Sequence, residues 1–193
     1  TIKISNINTV APLLALTSAP VELTNGEVEI SVTAAVYGSD SGNELVKLNW
    51  LAGSHGAADF AKGESGIDIL STQKFAVPVN GTYTVYALDS SGNEAVETIS
   101  VANIYTTLPL LTLDAPAEPT SGKITISVTA AVYGLDIGNE LVKLNWLAGS
   151  HNAADFANGA NGADILSTQQ FTVTTNGTYT AYALDAAGNE AVA

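Results

Sequence analysis

The sequence repeats itself, and this repeat limits the possible folds more than any other feature. The run GNELVKLNWLAGSH at 42–55 recurs unchanged at 138–151. Landmark residues keep the same spacing of 96 residues, as from Tyr37 to Tyr133 and from Trp50 to Trp146. The 193 residues therefore hold two copies of one module, and each copy has the length of a small domain.

Within each copy, apolar and polar residues alternate, which predicts β-strands with one buried face. Pairs such as Asn25-Gly26 and Asn80-Gly81 predict tight turns between the strands. The segment SHGAADFA predicts a single helical turn with Ser54 as its N-cap. In copy one, the residues predicted to face the core are Val28, Ile30, Val32, Ala34, Val36, Val46, Leu48, Trp50, Phe75, Val77, Val79, Tyr83, Val85, Ala87, Ile99 and Val101.

About seven short strands per copy, with Trp on the third strand and Tyr on the sixth, are typical of an immunoglobulin-like sandwich. We label these predicted strands A to G. The run GTYTVYALDSSGNEAVETISV resembles the closing hairpin of bacterial immunoglobulin-like repeats. Such repeats occur in tandem in surface-layer proteins, adhesins and large secreted enzymes. The resemblance implies an all-β fold of two tandem immunoglobulin-like β-sandwiches.

The two ends of the sequence complement each other. Copy two stops at GNEAVA and has no residues to match 98–104, which form most of strand G in copy one. The chain begins with residues of that type, because TIKISNI matches TISVANI. We therefore assign 1–8 as a strand G equivalent belonging to a preceding module, 9–104 as module 1, and 105–193 as module 2. The predicted assembly strand consists of Thr1, Ile2, Lys3, Ile4, Ser5, Asn6 and Ile7.

Without strand G, copy two should expose the edge of strand F, and an exposed edge is a template for another strand. The predicted acceptor edge is Tyr179, Ala181 and Ala183. The linker 8–12 spans at most about 17 Å, too short to cross module 1, so the expected partner is another copy of the chain, joined head to tail. Either short subunits donate the strand, or a longer covalent array repeats this unit. Alternatively, the boundaries bear no relation to strand G and 1–7 is frayed.

Composition restricts the function further. The chain has 6 Lys and Arg against 19 Asp and Glu, a net charge of −13, which argues against nucleic acid and anionic membrane surfaces as partners. No apolar stretch is long enough for membrane insertion. The absence of cysteine excludes disulfides and thiolate metal sites.

From the repeat and the open edge we expect an extracellular or cell-surface structural protein that forms a fibre, a pilus-like appendage or a surface-layer stalk. The alternative is a carbohydrate-binding or adhesive repeat of a large secreted or cell-surface protein, with polysaccharide as its partner.

The loops between strands B and C and between F and G carry carboxylates at the same end of the predicted sandwich. Calcium binds six to eight oxygens, so calcium is the one cofactor that these loops suggest. The alternative is that the aspartates cap their own turns and the glutamates are solvated. The candidate ligands are Asp40, Glu44, Asp89, Glu94, Asp136, Glu140, Asp185 and Glu190.

Other conspicuous side chains have simpler interpretations. Trp50 is in phase with the core, whereas Tyr86 and its counterpart Tyr182 point to the other strand face and are candidates for a binding surface. His55 and His151 are interpreted as loop residues, and no catalytic residue is predicted. Lys47 and Lys143 are placed on the outer face, which disfavours an isopeptide crosslink. The NGT sequences at Asn80 and Asn176 are interpreted as hairpin turns.

Overall fold

The computed structural model describes residues 1–4, 7–37, 42–133 and 138–193. The described chain is nearly all β, as the sequence predicted, and forms four antiparallel sheets. It divides into two compact units. Unit 1 contains residues 1–21 and 26–104, and unit 2 contains residues 22–25 and 105–193.

Unit 1 consists of one three-stranded and one four-stranded sheet, with the strand orders β1-β2-β5 and β4-β3-β6-β7. A 3-10 helix, Ala57–Gly63, lies between β3 and β4. The strands are β1 (Leu13–Ala19), β2 (Val28–Ala35), β3 (Leu45–Ala52), β4 (Ile67–Asp68), β5 (Lys74–Val77), β6 (Gly81–Asp89) and β7 (Glu94–Val101).

Unit 2 repeats this arrangement with the orders β12-β9-β8 and β11-β10-β13-β14. One turn of α-helix, α1 (Ala153–Phe156), follows β10. The strands are β8 (Leu110–Asp114), β9 (Ile124–Ala131), β10 (Leu141–Ala148), β11 (Ala163–Asp164), β12 (Gln170–Val173), β13 (Tyr179–Asp185) and β14 (Glu190–Val192).

The alternation of apolar residues correctly predicted most of the unit 1 core. Val28 and Ile30 of β2 and Val85 and Ala87 of β6 are completely buried. Three positions differ, and one of them is Val36, which lies beyond the end of β2 and does not pack on the main core. A β-bulge between Leu45 and Lys47 shifts the phase of β3, so Leu45 packs on the core instead of Val46. Val79 is 61% exposed because β5 ends at Val77.

The outer face of the four-stranded sheet in unit 1 is covered by the segment 57–66, which we call the cover segment. Phe60 stacks on Tyr86 with ring centroids 5.0 Å apart, and both are fully buried. The Asn49 amide donates hydrogen bonds to the carbonyls of Gly63 and Ser65. The helical turn was predicted here, but its N-cap is Gly56 instead of Ser54.

The matching cover segment of unit 2 comprises residues 153–162. Its Phe156 stacks on Tyr182 at the same distance of 5.0 Å. Asn152 is the N-cap of α1, and its side chain accepts a hydrogen bond from the amide of Ala154. Each four-stranded sheet therefore has a second, smaller apolar layer on the face away from the main core.

Candidate functional site

The edge of β13 in unit 2 is only partly paired. In unit 1, β6 pairs with β7 from Leu88↔Glu94 to Gly81↔Val101. In unit 2, β13 pairs with β14 through Tyr182, Ala183 and Leu184, and Ala181 exchanges two backbone hydrogen bonds with Ala193. In the described part of the chain, no strand lies beside 177–180 on this side.

The open edge is shorter than the sequence predicted. Of the three predicted acceptor residues, Ala183 pairs with Ala191, and Ala181 is bonded to Ala193. Both alanine side chains are fully buried, so this side of the core is not uncovered. Only Tyr179 lies on the unpaired stretch. We define residues 177–180 as the open edge.

A groove of about 280 Å³ lies next to the open edge. In unit 1, the equivalent region is filled by Val101 and Ile104, which are 3% and 7% exposed and belong to the main core. The main core of unit 2 contains no residue in their place. The groove is lined by Ala115, Ile124, Ile126, Val173, Thr175, Asn176, Gly177 and Tyr179.

Two side chains in unit 2 show the effect of this groove. Tyr179 and Ile124 are only partly buried, whereas their unit 1 counterparts Tyr83 and Val28 are 4% and 0% exposed. Elsewhere the core of unit 2 is packed as in unit 1, because Phe171 and Val173 are buried like Phe75 and Val77. The groove is therefore a local gap at the end of the sheet and not a general loosening of the unit.

The predicted assembly strand lies outside any sheet at its described positions. Ile2, Ile4 and Ile7 are 86%, 65% and 78% exposed, and Thr1 and Lys3 are exposed as well. Ser5 and Asn6 lie outside the described residues. Asn8, which follows the predicted assembly strand, is anchored within unit 1, because the side chain of Asn93 donates a hydrogen bond to its carbonyl.

Tyr105, which follows the end of strand G in unit 1, makes a hydrogen bond that matches the one made by Asn8. Ile104 is buried in the core of unit 1. The carbonyl of Tyr105 accepts a hydrogen bond from the side chain of Asn189 in unit 2. Ile7 and Asn8 occupy the corresponding positions in the sequence match, but Ile7 is exposed instead of buried in a core.

The predicted calcium ligands have varied surroundings. No group of three or more potential metal ligands comes together among residues 1–4, 7–37, 42–133 and 138–193. Glu94 and Glu190 accept hydrogen bonds from the hydroxyls of Tyr86 and Tyr182. The side chains of Glu44 and Glu140 are exposed. Asp40 and Asp136 fall outside the described residues, so the calcium site stays a prediction.

Asp89 organises the loop between β6 and β7. Its carboxylate accepts hydrogen bonds from the side chains of Asn43 and Asn93 and from the backbone amide of Asn93. Burial alone raises the pKa of this carboxyl, but the hydrogen bonds outweigh burial and hold the pKa below its ordinary value. Asp185 in unit 2 has the same partners, Asn139 and Asn189.

The prediction that Tyr86 and Tyr182 form a binding surface is wrong. Both rings are fully buried beneath the cover segments. Burial, together with the hydrogen bonds to Glu94 and Glu190 and the charges of these glutamates, raises the pKa of both phenols far above the ordinary value. Sequence reasoning missed this layer, although residues 85–88 form an unbroken hydrophobic run, a sign that both faces of β6 are buried.

The Trp side chains pack against the main cores, and the His side chains make polar contacts within their own loops. Trp50 packs against the core as predicted, stacked on Phe75 with centroids 4.3 Å apart, although it is only partly buried. The Nε2 atom of His55 lies 2.9 Å from the carbonyl oxygen of Ala52, and Nδ1 lies 3.4 Å from the Asp59 carboxylate. These contacts hold the loop after β3. His151 repeats them with Ala148 and Asp155.

Lys47 also follows the prediction for the outer face. Its ammonium group lies 3.6 Å from the carboxylate of Glu64, and its side chain is 40% exposed. Asn49, predicted on the same face, is instead buried, because the cover segment lies over it.

Within the described ranges, no helix has both the length and the apolar character needed to cross a membrane.

Comparison with known proteins finds little. No protein-family model matches the chain, and no curated protein matches it. Among solved structures, the chain is similar to a DUF4466 family protein from Parabacteroides merdae, with a TM-score of 0.37 and 11% sequence identity. That match covers 91% of this chain and 90% of the other. At this TM-score, the similarity carries no argument about fold or function.

Proposed function

We propose that the chain is a structural protein of the cell surface or extracellular space, built from immunoglobulin-like modules joined head to tail. In this proposal, residues 1–7 occupy the open edge and groove of a copy-two module in another unit. The contact is the same whether the units are separate chains or parts of a longer covalent array. The acidic surface keeps such a fibre soluble and limits side-by-side bundling.

The immunoglobulin-like assignment has three supports. Each unit pairs its first, second and fifth strands in one sheet and its third, sixth and seventh in the other, as in that sandwich. The third strand carries Trp50 or Trp146. At the start of the sixth, the hydroxyl of Tyr83 donates to the carbonyl of Val79, and Tyr179 donates to Thr175. A tyrosine hydrogen-bonded back to the preceding backbone is typical of this fold.

One observation carries the assembly proposal. Unit 1 buries Ile99, Val101 and Ile104 at the end of its sheet, wholly or in part. Unit 2 has a groove in that place, and the chain holds an exposed segment with isoleucines at the matching positions 2, 4 and 7. The charge of Lys3 falls between two of these isoleucines, so it would face solvent in a strand.

The expected affinity of this contact follows from its size. Full burial of three isoleucines contributes about 5 to 9 kcal/mol, and the four-residue backbone ladder adds about 0.5 to 1.5 kcal/mol per hydrogen bond. Association of separate molecules costs about 4 to 15 kcal/mol. Contact between separate chains should therefore be moderate and depend on concentration. Covalent continuity would remove most of the cost.

Light scattering at several protein concentrations tests the proposal. The chain should grow in mass with concentration, and Ile4→Asp should remain monomeric, because Ile4 would enter the groove. Val21→Asp is the matched control, since Val21 is also exposed, at 76%, but lies outside the assembly strand. If all three proteins have the same mass at every concentration, residues 1–7 do not join units and the proposal fails.

The carbohydrate-binding alternative has less support. It depended on Tyr86 and Tyr182 as surface aromatic residues, and both are buried.

A further inference from the structure

The turn before β6 contains a side chain that binds the end of strand G in unit 1. The Asn80 amide donates a hydrogen bond of 2.8 Å to the carbonyl of Ile104, and its oxygen accepts one of 2.9 Å from the amide of Ile104. Asn80 therefore bonds Ile104 as a neighbouring strand would. Strand β7 has already ended at Val101, so this clamp extends the pairing three residues further.

Asn176 occupies the same place in unit 2, where no residue fills the clamp. Its side chain is exposed and has no hydrogen bond within the described ranges. It lines the groove beside Tyr179. It also lines a second hollow of about 240 Å³, formed with the loop 120–122. Both hollows lie where the end of strand G lies in unit 1.

We propose that Asn176 sets the register of the incoming strand by binding the backbone amide and carbonyl of Ile7. This inference rests on the proposed function, because it requires residues 1–7 of another unit in the groove. In the sequence match, Ile7 corresponds to Ile104 and Asn176 to Asn80. The occupant is thus a strand from a second copy of this chain.

A register device is needed because the assembly strand alone does not define one position. A slip of two residues keeps the same side chains facing the groove. Such a slip would place Ile4 in the site of Ile2 and Asn6 in the site of Ile4. The clamp opposes this slip, because only one residue can present its amide and carbonyl to Asn176 while the isoleucines fill the groove.

A peptide-binding experiment tests the clamp. The receptor is the full chain carrying Ile4→Asp, which disables its own assembly strand, and the probe is a synthetic peptide of residues 1–9 with an amidated C-terminus. Titration calorimetry gives the dissociation constant. Asn176→Ala in the receptor should weaken binding about 10-fold to 100-fold, since it removes two hydrogen bonds. Asn80→Ala, the matched control in unit 1, should leave binding unchanged.

A second probe separates the clamp from a general loss of structure. A peptide with an N-methyl group on Ile7 keeps the side chain but loses the amide hydrogen. It should bind the Ile4→Asp receptor more weakly, and Asn176→Ala should weaken it less than it weakens the parent peptide. Asn176→Asp keeps the size of the side chain and its preference for a turn, but it loses the donor. It should bind the parent peptide more weakly than the Ile4→Asp receptor alone does, because a carboxylate oxygen would face the carbonyl oxygen of Ile7 without a donor between them.

The outcomes separate the two proposals. If the unmodified peptide does not bind the receptor, both the assembly proposal and the clamp fail. If the peptide binds but Asn176→Ala does not change its affinity, the clamp is refuted and the assembly proposal stands. The same conclusion follows if the losses of binding free energy from Asn176→Ala and from N-methylation of Ile7 simply add, because the two groups then do not interact.

Discussion

At the residue scale, the buried carboxylate of Asp89 is held by several hydrogen bonds. It is 1% exposed and accepts hydrogen bonds from Asn43 and Asn93. These contacts join the loop after β6 to the start of β3. Such a group favours one arrangement of the loop, because any other arrangement would leave a buried charge without donors.

We predict that Asp89→Asn destabilises unit 1 by about 2 kcal/mol. In this variant, a side-chain NH2 group replaces the carboxylate oxygen that accepts hydrogen bonds from the side chains of Asn43 and Asn93. Three donors would then face one another without an acceptor. The stability should also depend on pH. The folded pKa of Asp89 lies below its ordinary value of 3.8. The carboxylate therefore contributes its full stabilisation above that value and loses it as the pH falls through the folded pKa.

Urea unfolding from about pH 5 down to pH 2 measures this contribution. The wild type should lose more unfolding free energy over this range than Asp89→Asn does. Glu64→Gln, at an exposed carboxylate, is the control and should follow the wild type. Equal pH dependence in wild type and Asp89→Asn would show that Asp89 does not contribute.

At the element scale, the cover segment explains why the outer face of the four-stranded sheet is apolar. Phe60 and Tyr86 are both completely buried, and their rings are nearly parallel, with an interplanar angle of 13°. Gly66 allows the segment to approach β3 closely, since a Cβ atom there would lie 2.9 Å from the carbonyl oxygen of Trp50. Its φ of +89° also favours glycine.

Phe60→Ala should therefore cost about 3 to 5 kcal/mol of unfolding free energy, the usual cost of a large cavity in an apolar layer. Phe156→Ala should have the same effect on unit 2. Glu64→Ala, in the same segment but exposed, should change the stability by less than about 1 kcal/mol. Guanidinium unfolding followed by tryptophan fluorescence measures all three. A loss for Phe60→Ala as small as that for Glu64→Ala would contradict the structural role of the cover segment.

The sequence predicted the main core better than this outer layer, for a physical reason. In β2, one face is buried and the other exposed, so Val28, Ile30 and Val32 stand out by their alternation. In β6, both faces are buried, and the pattern does not show what covers Tyr86. That depends on the cover segment, which is distant in sequence. The bulge that brings Leu45 into the core has no signal in the alternation either.

Only part of the candidate site could be predicted from the sequence. The match between residues 1–7 and 98–104 predicted an open edge at Tyr179, Ala181 and Ala183, but only Tyr179 lies on an unpaired stretch, beside the groove. The length of the open edge was not predictable. It depends on how far β14 and Ala193 continue the pairing, and the structure shows that they reach Ala181.

At the scale of the whole molecule, the two units have the same architecture but unequal completeness. Unit 1 fills the end of its sheet with its own strand, whereas unit 2 leaves Tyr179 and Ile124 partly exposed at the same place. Apolar burial is the main source of stability. Unit 2 should therefore be the less stable unit unless another strand fills its groove.

Moving residues 1–7 from the N-terminus to a position after Ala193 should convert the chain into a stable monomer. The transferred segment would continue β14 along the open edge and place three isoleucines in the groove without the cost of association. We expect a higher midpoint for the less stable thermal transition and a mass by light scattering that does not change with concentration. The same transfer carrying Ile2→Asp and Ile4→Asp, the control, should remain monomeric without the gain in stability, because charged side chains would have to enter the groove. If the two transferred proteins melt alike, the segment does not occupy the groove, and the head-to-tail contact loses its physical basis.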